Sequence, residues 1–389
     1  MDAALVGWGH TAFGRHAEHA LEDLIVAAAR EALEHAGLTA RDIDALWVGH
    51  FNCGLIADGF PASLALQLDD DLRFKPATRL ENACASGSAA IYAARQAIRC
   101  GDVKHALVIG AEKMTAKSSA AVGAALGGAA YQKEESDLSF PQIFGRIAAA
   151  YFQRYGDNSA SLARIAAKNH RNALANPLAQ MQRDVGFEFC NTVTDKNPLV
   201  APPLRLTDCS LISDGAAAVV MTRDDALDDF ERAIGFRAAV QVNDFLPMSR
   251  RDMLDFAGPK KAFADAFSDA GVTLSDIDFA EVHDCFTIAE LLTYEAMGLA
   301  ASGRGADVID NGISTAGGAL PVNLSGGLKA KGHPVGATGV SMHALAAMQL
   351  TGEAGAMQKH GAQIGCVFNM GGAAVANYVS ILEPLKASA

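Results

Sequence analysis

The chain has 389 residues, of which 50% are hydrophobic and 20% are charged, and this length allows two to three domains with a sizeable core. The formal net charge is −12, with lysines and arginines spread along the sequence, which excludes a basic stripe for binding nucleic acid. No apolar run reaches the roughly 20 residues of a membrane span, and the first residues lack the pattern of a signal peptide, so we expect a cytoplasmic protein.

Two stretches of the sequence repeat one another. Residues 24–36 form an Ala-rich amphipathic pattern that ends at Gly37, passes an Asp-Ile-Asp turn and enters an apolar strand, and residues 262–282 repeat this order around Gly271. In each copy a turn of small residues then opens a helix, after Cys84 and after Pro334. The repeat predicts two homologous halves that alternate helix and strand, which is typical of an α/β fold with layered sheets and helices.

Cys84 follows an extended segment and precedes an Ala-rich helix. At a helix N-terminus the unpaired N–H groups and the helix dipole favour a thiolate, which lowers the thiol pKa and makes the sulfur a better nucleophile. Cysteine is also among the residues most often buried. The pattern therefore fits either a nucleophile or a side chain that fills space beneath a turn.

The seven cysteines show no Cys-x-x-Cys pair and no zinc spacing. In such a chain we expect reduced thiols and no metal site. A cysteine that carries chemistry here therefore acts singly.

Residues from about 115 to 206 differ in character from both repeats, with asparagine-rich turns and a Pro202-Pro203 pair. Residues 214–222 then return to an apolar strand. We predict an N-terminal half at residues 1–231, which includes an inserted loop domain at about 115–206, and a C-terminal half at residues 232–389. An insertion between two core halves is well placed to cover an active site.

His283 and Cys285 follow the apolar strand of the second repeat, at the end of a strand where α/β folds place their sites. Standing two residues apart, their side chains point the same way if the strand continues. One interpretation is zinc binding, although a second pair of ligands is missing. The other is a reactive thiol that works as an acid/base beside a polarising histidine.

His333 lies in a glycine-rich loop before a helix, and Pro334 holds it extended. A fixed imidazole can take a thiol proton or stabilise an oxyanion, and a loop histidine can also simply cap a turn. Because Cys84, His283 and His333 stand at corresponding ends of the repeated elements, packing the halves about a pseudo-two-fold axis directs them toward one cleft.

At these residues the sequence resembles the thiolase superfamily, and the resemblance runs from about residue 3 to residue 383. The segment His283-Asp-Cys-Phe286 is similar to the sterol carrier protein 2 type of thiolase, in place of the Asn-Glu-Ala-Phe of ordinary thiolases. The other segments that carry the resemblance are Asn82-Ala-Cys84-Ala-Ser-Gly, Leu206-Thr-Asp-Cys-Ser210, Asp214-Gly-Ala-Ala-Ala, and Gly332-His333-Pro334 followed by Gly336-Ala-Thr-Gly339.

The resemblance implies a thiolase-like fold, in which two homologous halves form a layered α-β-α-β-α core with an inserted loop domain. It implies that Cys84 is acylated by an acyl-CoA, that His333 activates Cys84, and that His283 helps to bind the thioester oxygen. Cys285 would be the acid/base for the α-proton. The backbone N–H of Gly371, with that of Cys84, would form the second oxyanion hole.

Ordinary thiolases take the acid/base from a late Cys-x-Gly motif. Cys366 stands too far from the glycines of this chain to match that motif, so we assign it no catalytic role.

By the same resemblance, the reaction is ping-pong acyl transfer in lipid metabolism, either thiolysis of a 3-ketoacyl-CoA or Claisen condensation. The substrates would be coenzyme A thioesters, with no tightly bound cofactor, and the protein would be a homodimer or homotetramer. Two other functions stay open: C-acylation of an acceptor other than coenzyme A, and a non-catalytic subunit that binds a small partner protein.

Overall fold

The computed structural model describes residues 2–386, so the outermost residues of the two predicted halves, 1 and 387–389, lie outside the described residues. The strands of this region are β1 (Ala3–His10), β2 (Ala45–Gly49), β3 (Ala77–Leu80), β4 (His105–Glu112), β5 (Leu199–Ala201), β6 (Leu204–Arg205), β7 (Gly215–Arg223), β8 (Ala233–Asn243), β9 (Phe279–Val282), β10 (Gly365–Gly371) and β11 (Ala376–Lys386).

Helices occupy most of the connections between these strands. They are α1 (Leu21–Ala36), α2 (Pro61–Leu64), α3 (Ser86–Arg99), α4 (Ser119–Gly127), α5 (Gln132–Glu135), α6 (Phe140–Tyr155), α7 (Ser159–Ala173), α8 (Gly186–Asn191), α9 (Ala257–Ala270), α10 (Thr287–Ala296), α11 (Gly305–Asp310), α12 (Gly327–Ala330) and α13 (Thr338–Thr351). Among residues 2–386, no helix combines the length and the apolar character that crossing a membrane requires.

Nine strands are hydrogen-bonded in the order β3-β2-β4-β7-β1-β8-β11-β10-β9. The first five of this order come from the N-terminal part of the chain and the last four from the C-terminal part. The two sets meet where β1 pairs with β8 through Ala4 opposite Gly235 and Leu5 opposite Ile234. The halves are thus continuous through one short antiparallel junction.

Helices cover both faces of each set of strands. Along β1, Ala4 and Val6 pack toward α1, whereas Ala3 and Leu5 pack toward the core that includes α3, because successive side chains of a strand point to opposite faces. Helices α3 and α13 contact each other between the two sets, while α9 packs on β8 and β11. This stacking is the layered α-β-α-β-α arrangement, and it confirms the predicted fold class.

The sequence repeat is reproduced in the local structure. Helices α1 and α9 both end at a glycine in the left-handed region, Gly37 with φ 70° and Gly271 with φ 64°, where a residue without Cβ is favoured. Thr39 and Thr273 then cap equivalent short 3-10 helices that lead into β2 and β9. The first predicted helix and its turn therefore recur in the second half as expected.

The segment between β4 and β7 holds α4 to α8 and the small β5–β6 hairpin. It includes the predicted insertion at about residues 115–206. The division of the chain at residue 231 stays a prediction, and β8 begins directly after it, at Ala233.

Candidate active site

Cys84 stands in the tight turn between β3 and α3. Ala83, just before it, adopts a left-handed φ of 50°, which is uncommon for a residue with a Cβ. The turn is tied down because Asn82 donates from Nδ2 to the Tyr378 hydroxyl at 2.7 Å, and because Ser86 donates from its hydroxyl to the Ala83 carbonyl at 2.6 Å. The buried thiol is thus held two residues before the start of α3.

Glycines let helices α3 and α13 cross near their N-termini. A Cβ on Gly87 would lie 2.8 Å from the Val340 backbone nitrogen, and a Cβ on Gly339 would lie 2.3 Å from that of Ser88. Only glycine permits such an approach of backbone to backbone. The crossing brings the loop before α13, which carries His333, against the turn that carries Cys84.

The structure brings together three of the predicted residues. One nitrogen of His283, one nitrogen of His333 and the Cys84 sulfur lie within 4.8 Å of one another. The two imidazole rings meet edge to face with their centroids 5.1 Å apart. All three side chains are buried, so they form a compact group shielded from bulk water.

Cys285 reaches the same site by a route that differs from the expected one. The strand β9 ends at Val282, and the backbone turns there, since the Asp284 N–H donates to the Val282 carbonyl at 3.1 Å. The strand therefore does not continue through Cys285, and the condition under which the His283 and Cys285 side chains would point the same way is not met. Cys285 lies in the loop after β9. Its backbone is fixed there because its carbonyl accepts a hydrogen bond from the Ser210 N–H at 2.9 Å.

The two glycines at the end of β10 have different surroundings. A Cβ on Gly371 would lie 2.3 Å from the Asn82 carbonyl oxygen, so close packing against the Cys84 turn explains that glycine. The backbone N–H of Gly372 hydrogen-bonds the Cys84 thiol. The assignment of Gly371 as an oxyanion donor stays a prediction, and the geometry favours its neighbour Gly372 for that role.

Burial sets the protonation states of the site. It raises the pKa of Cys84 to about 12, and it raises that of Cys285 well above its usual value, with the nearby Cys84 adding to the effect. Burial, followed by the charge of Lys331, lowers the pKa of His333 to about 3. The free site therefore holds neutral thiols beside neutral imidazoles, in contrast to the lowered Cys84 pKa expected from the helix N-terminus alone.

The hydrogen on His333 is placed by a chain of hydrogen bonds that ends on a carbonyl. The Thr338 hydroxyl donates to the Pro334 carbonyl at 3.0 Å and lies 2.7 Å from Nδ1 of His333. A hydroxyl has a single hydrogen, so both contacts are hydrogen bonds only when the hydroxyl donates to the carbonyl and Nδ1 donates to the hydroxyl. The Nε2 atom of His333 is then a free base, suited to accept a thiol proton.

A cavity of about 430 Å³ opens onto this group, a volume typical of ligand pockets. Cys84, Cys285 and His333 lie on its wall together with residues from α4, α6 and the segment before β7. The inserted segment therefore does line the cavity, as its position in the sequence predicts. Among the described residues on the wall, Arg15 supplies the one lysine or arginine side chain.

Lys329 and Lys331, the cations nearest to His333 in the sequence, are both buried. Burial lowers the pKa of each. The Lys331 ammonium donates to the Ser341 hydroxyl at 2.9 Å. Since both side chains point into the protein, neither forms a solvated cationic surface.

Cys84, His283 and His333 form the one group of three or more side chains within residues 2–386 whose ligand atoms lie close enough together to hold a metal ion. Sulfur and imidazole nitrogen are donors that zinc prefers. Cys285 is not part of this group. Cys366 is buried on β10 and is not among the cavity residues.

Asp284 connects the loop after β9 to helices α12 and α7, a role that the sequence did not reveal. Its carboxylate accepts hydrogen bonds from the Leu328 N–H at 2.7 Å, the Lys329 N–H at 3.2 Å and the Asn169 amide at 2.8 Å. Burial, followed by repulsion from Glu290, raises its pKa to about 7. The signal available in the sequence was the position of Asp284 between His283 and Cys285, two residues with predicted chemical roles.

We expect Asp284→Ala to lower the free energy of unfolding by about 3 kcal/mol, because three buried donors lose their acceptor. Urea unfolding followed by circular dichroism measures the change. The control is Asp265→Ala, which removes an exposed carboxylate paired with Lys261 on α9, and it should change the stability by less than about 0.5 kcal/mol. Equal effects of the two substitutions would contradict the connecting role of Asp284.

Two family models cover nearly the whole chain. Thiolase, N-terminal domain, matches residues 3–225, and Thiolase C-terminal domain-like matches residues 240–384. The chain belongs to the thiolase family. Within that family it is a member of the sterol carrier protein 2 type, as the His283-Asp-Cys-Phe286 segment indicates and as the relatives below support.

Sequence relatives extend over almost all of the chain. It is 36% identical to the Acetyl-CoA acetyltransferase of Methanothermobacter thermautotrophicus, over 95% of this chain and 96% of that protein. It is 32% identical to Sterol carrier protein 2 of Homo sapiens, over 99% of this chain and 73% of that protein. These relatives support an acyltransferase of thiolase type.

Solved structures agree on the fold. The structure named Ltp2-ChsH2(DUF35) aldolase superposes with a TM-score of 0.83, at 22% identity, over 98% of this chain and 97% of that one. At this level of identity the likeness concerns the fold alone.

Proposed function

We propose that this protein transfers an acyl group between coenzyme A thioesters by a ping-pong reaction in which Cys84 carries the acyl group. The observation that supports this function most directly is the group of Cys84, His283 and His333 within 4.8 Å, of which Cys84 and His333 lie on the wall of a cavity together with Cys285. A covalent carrier, a base, oxyanion donors and a second acid/base are what carbon–carbon chemistry beside a thioester requires.

In thiolysis, the Cys84 sulfur attacks the 3-keto carbonyl while Nε2 of His333 takes the thiol proton. The carbon–carbon bond then breaks, the acyl group stays on Cys84, and the departing acetyl-CoA enolate takes a proton from the Cys285 thiol. The Cys285 thiolate next takes the proton of an incoming coenzyme A thiol, whose sulfur attacks the acyl group. His333 finally returns its proton to Cys84, so all protons balance.

Two sets of donors serve the two oxygens that become negative. The N–H groups of Cys84 and Gly372 face the sulfur of Cys84, where the oxygen of the acyl group develops its charge. His283 serves the oxygen of the thioester that forms the enolate. One such donor is typically worth about 3 kcal/mol in the barrier.

The substrate class follows from the cavity and its rim. Its volume accommodates the thioester end of an acyl-CoA but not the whole molecule, so the nucleotide end lies outside. Arg15 is exposed and lines the cavity, which suits it to meet a coenzyme A phosphate. No tightly bound cofactor is part of the proposal.

A partner protein belongs to the same proposal as an alternative arrangement. The solved aldolase that shares this fold bears the names of two proteins, Ltp2 and ChsH2(DUF35). A partner of that kind would bring an acceptor other than coenzyme A to the acyl group on Cys84. A homodimer or homotetramer remains the expected assembly, and light scattering measures it.

Peptide mass spectrometry after incubation with acetyl-CoA tests the function. We expect an acetyl group on the peptide that contains Cys84, together with acetoacetyl-CoA consumption when free coenzyme A is added. His333→Ala should slow acylation by about 10²- to 10⁴-fold because the base is lost. His360→Ala, which removes an exposed histidine, is the control and should acylate at the wild-type rate.

Acylation without thiolysis or condensation would favour transfer to another acceptor. If acetyl-CoA and longer acyl-CoAs all leave Cys84 unmodified, the proposed function is wrong. Unchanged acylation in His333→Ala would remove His333 from the role of base.

A further inference from the structure

Asn369 lies on β10 with its side chain fully buried between the Cys84 turn and His283. Its amide nitrogen is 3.1 Å from the Cys84 carbonyl oxygen and 2.9 Å from Nδ1 of His283. Its amide oxygen accepts a hydrogen bond from the Ser88 hydroxyl at 2.8 Å. The reaction steps described above make no use of this residue, although it touches two of the elements that carry them out.

The orientation of the Asn369 amide is decided by a backbone atom. The Cys84 carbonyl can only accept a hydrogen bond, so the amide nitrogen and not the amide oxygen must face it. The same nitrogen then presents its second hydrogen to Nδ1 of His283. That ring nitrogen must therefore be an acceptor without a hydrogen of its own.

The position of the hydrogen on the His283 ring then follows. Burial, reinforced by His333 and Lys331, lowers the pKa of His283 well below its usual value, and a neutral imidazole carries a single N–H. Because Nδ1 accepts, the hydrogen is on Nε2. This atom is buried and has no hydrogen-bond partner among the described residues, and the ring lies against Cys84 and His333.

We propose that Asn369 is a positioning residue that holds the hydrogen of His283 on Nε2, so that this ring donates a hydrogen bond into the site. The two neighbouring histidines then have opposite tautomers and opposite tasks. His333 presents a lone pair and accepts a proton, whereas His283 presents an N–H to an oxygen. The identity of that oxygen as a thioester oxygen rests on the proposed function, but the proton position does not.

The same proton position disfavours a metal at the Cys84, His283 and His333 group. A metal would need the lone pair of Nε2 of His283. Moving the hydrogen to Nδ1 would place it against the N–H of Asn369. The arrangement is therefore built for donation to an oxygen.

Nitrogen-15 NMR of the histidine-labelled protein reads the tautomers directly and needs no turnover. We expect the signals of His283, identified by their loss in His283→Asn, to show Nε2–H, and those of His333 to show Nδ1–H. In Asn369→Asp the carboxylate should accept from Nδ1 and move the hydrogen of His283 there. An Nδ1–H form of His283 in the wild-type protein, or an unmoved hydrogen in Asn369→Asp, overturns the proposal.

Asn369→Leu provides a second variant of similar size in case the buried carboxylate prevents folding. Without an amide to donate, His283 should populate both tautomers while His333 keeps its own. A His283 that stays wholly in the Nε2–H form in this variant would show that Asn369 does not hold the hydrogen. Retention of the His333 signals reports that the fold is intact.

A kinetic cycle separates this role from a merely structural one. Asn369→Asp should lower kcat by about 100-fold, the loss typical of one oxyanion donor, with little change in KM. In the His283→Asn background, where an amide supplies the N–H without a tautomer, the same substitution should cost much less. Equal losses in both backgrounds would contradict the proposal, whereas a wild-type protein without any acyl transfer would contradict the proposed function and leave the NMR result intact.

Discussion

Cys84→Ala is expected to abolish acyl transfer, with a fall in turnover of about 10⁴-fold or more, as is typical when a covalent nucleophile is removed. In the proposed mechanism Cys84 carries the acyl group, and within residues 2–386 it is the one thiol in the group that contains His283 and His333. Thiolysis of acetoacetyl-CoA measures the loss, and mass spectrometry of the peptides measures where any acyl group resides.

The control for this prediction lies at the far end of α3. Cys100 is an exposed thiol that follows the last residue of this helix, so Cys100→Ala removes a sulfur at the opposite end from the Cys84 turn without touching the site. It should keep wild-type turnover. Wild-type turnover in Cys84→Ala, or an acyl group transferred productively from another cysteine, would disprove the assignment of the nucleophile.

Much of the architecture could be predicted from the sequence because the same local pattern of helix, glycine, turn and strand occurs twice. Gly37 and Gly271 end their helices in left-handed conformations that favour glycine. Small residues follow Cys84 and Pro334 in the sequence, and in the structure Gly87 and Gly339 form a crossing of helices that no side chain would permit. Helix ends and close helix crossings of this kind depend on the type of a single residue, so they can be recognised in a sequence.

The electrostatics of the site could not be read in the same way, because they depend on burial by distant parts of the chain. A helix N-terminus favours a thiolate, yet the surroundings of Cys84 raise its pKa to about 12. Lysine side chains are mostly exposed in proteins, yet Lys329 and Lys331 are buried. Desolvation depends on what packs above a residue, which spacing does not show.

The proton chemistry was also hidden, for a related reason. Asn369 acts on His283 from another strand, and its two nitrogen contacts join residues that are far apart in the sequence. Asp284 was visible in its motif, but its role as a hydrogen-bond acceptor for the backbone of α12 appears only when the two segments pack together. The choice between Gly371 and Gly372 likewise depends on where β10 ends against the Cys84 turn.

Cys285→Ala is expected to separate the two parts of the reaction. Acylation of Cys84 by acetyl-CoA needs His333 and the donors around the Cys84 sulfur. The coenzyme A thiolate that leaves in this step is only weakly basic and departs with little help from a proton of Cys285, so acylation should slow far less than the carbon–carbon step. Breaking or forming the carbon–carbon bond also needs a proton at the α-carbon, and removal of that acid/base should slow this step by about 10²- to 10⁴-fold. The raised pKa of Cys285 suits this task, because the thiol keeps its proton until an enolate, a stronger base, forms beside it.

Single-turnover acylation followed by mass spectrometry, together with acetoacetyl-CoA thiolysis, measures the two steps in one preparation. The matched control is Cys209→Ala, since Cys209 lies on the wall of the same cavity and pairs with Phe286 in the loop that holds Cys285. It should retain both steps. An equal loss of acylation and carbon–carbon chemistry in Cys285→Ala would mean that this thiol supports the site as a whole and is not a dedicated acid/base for the α-proton.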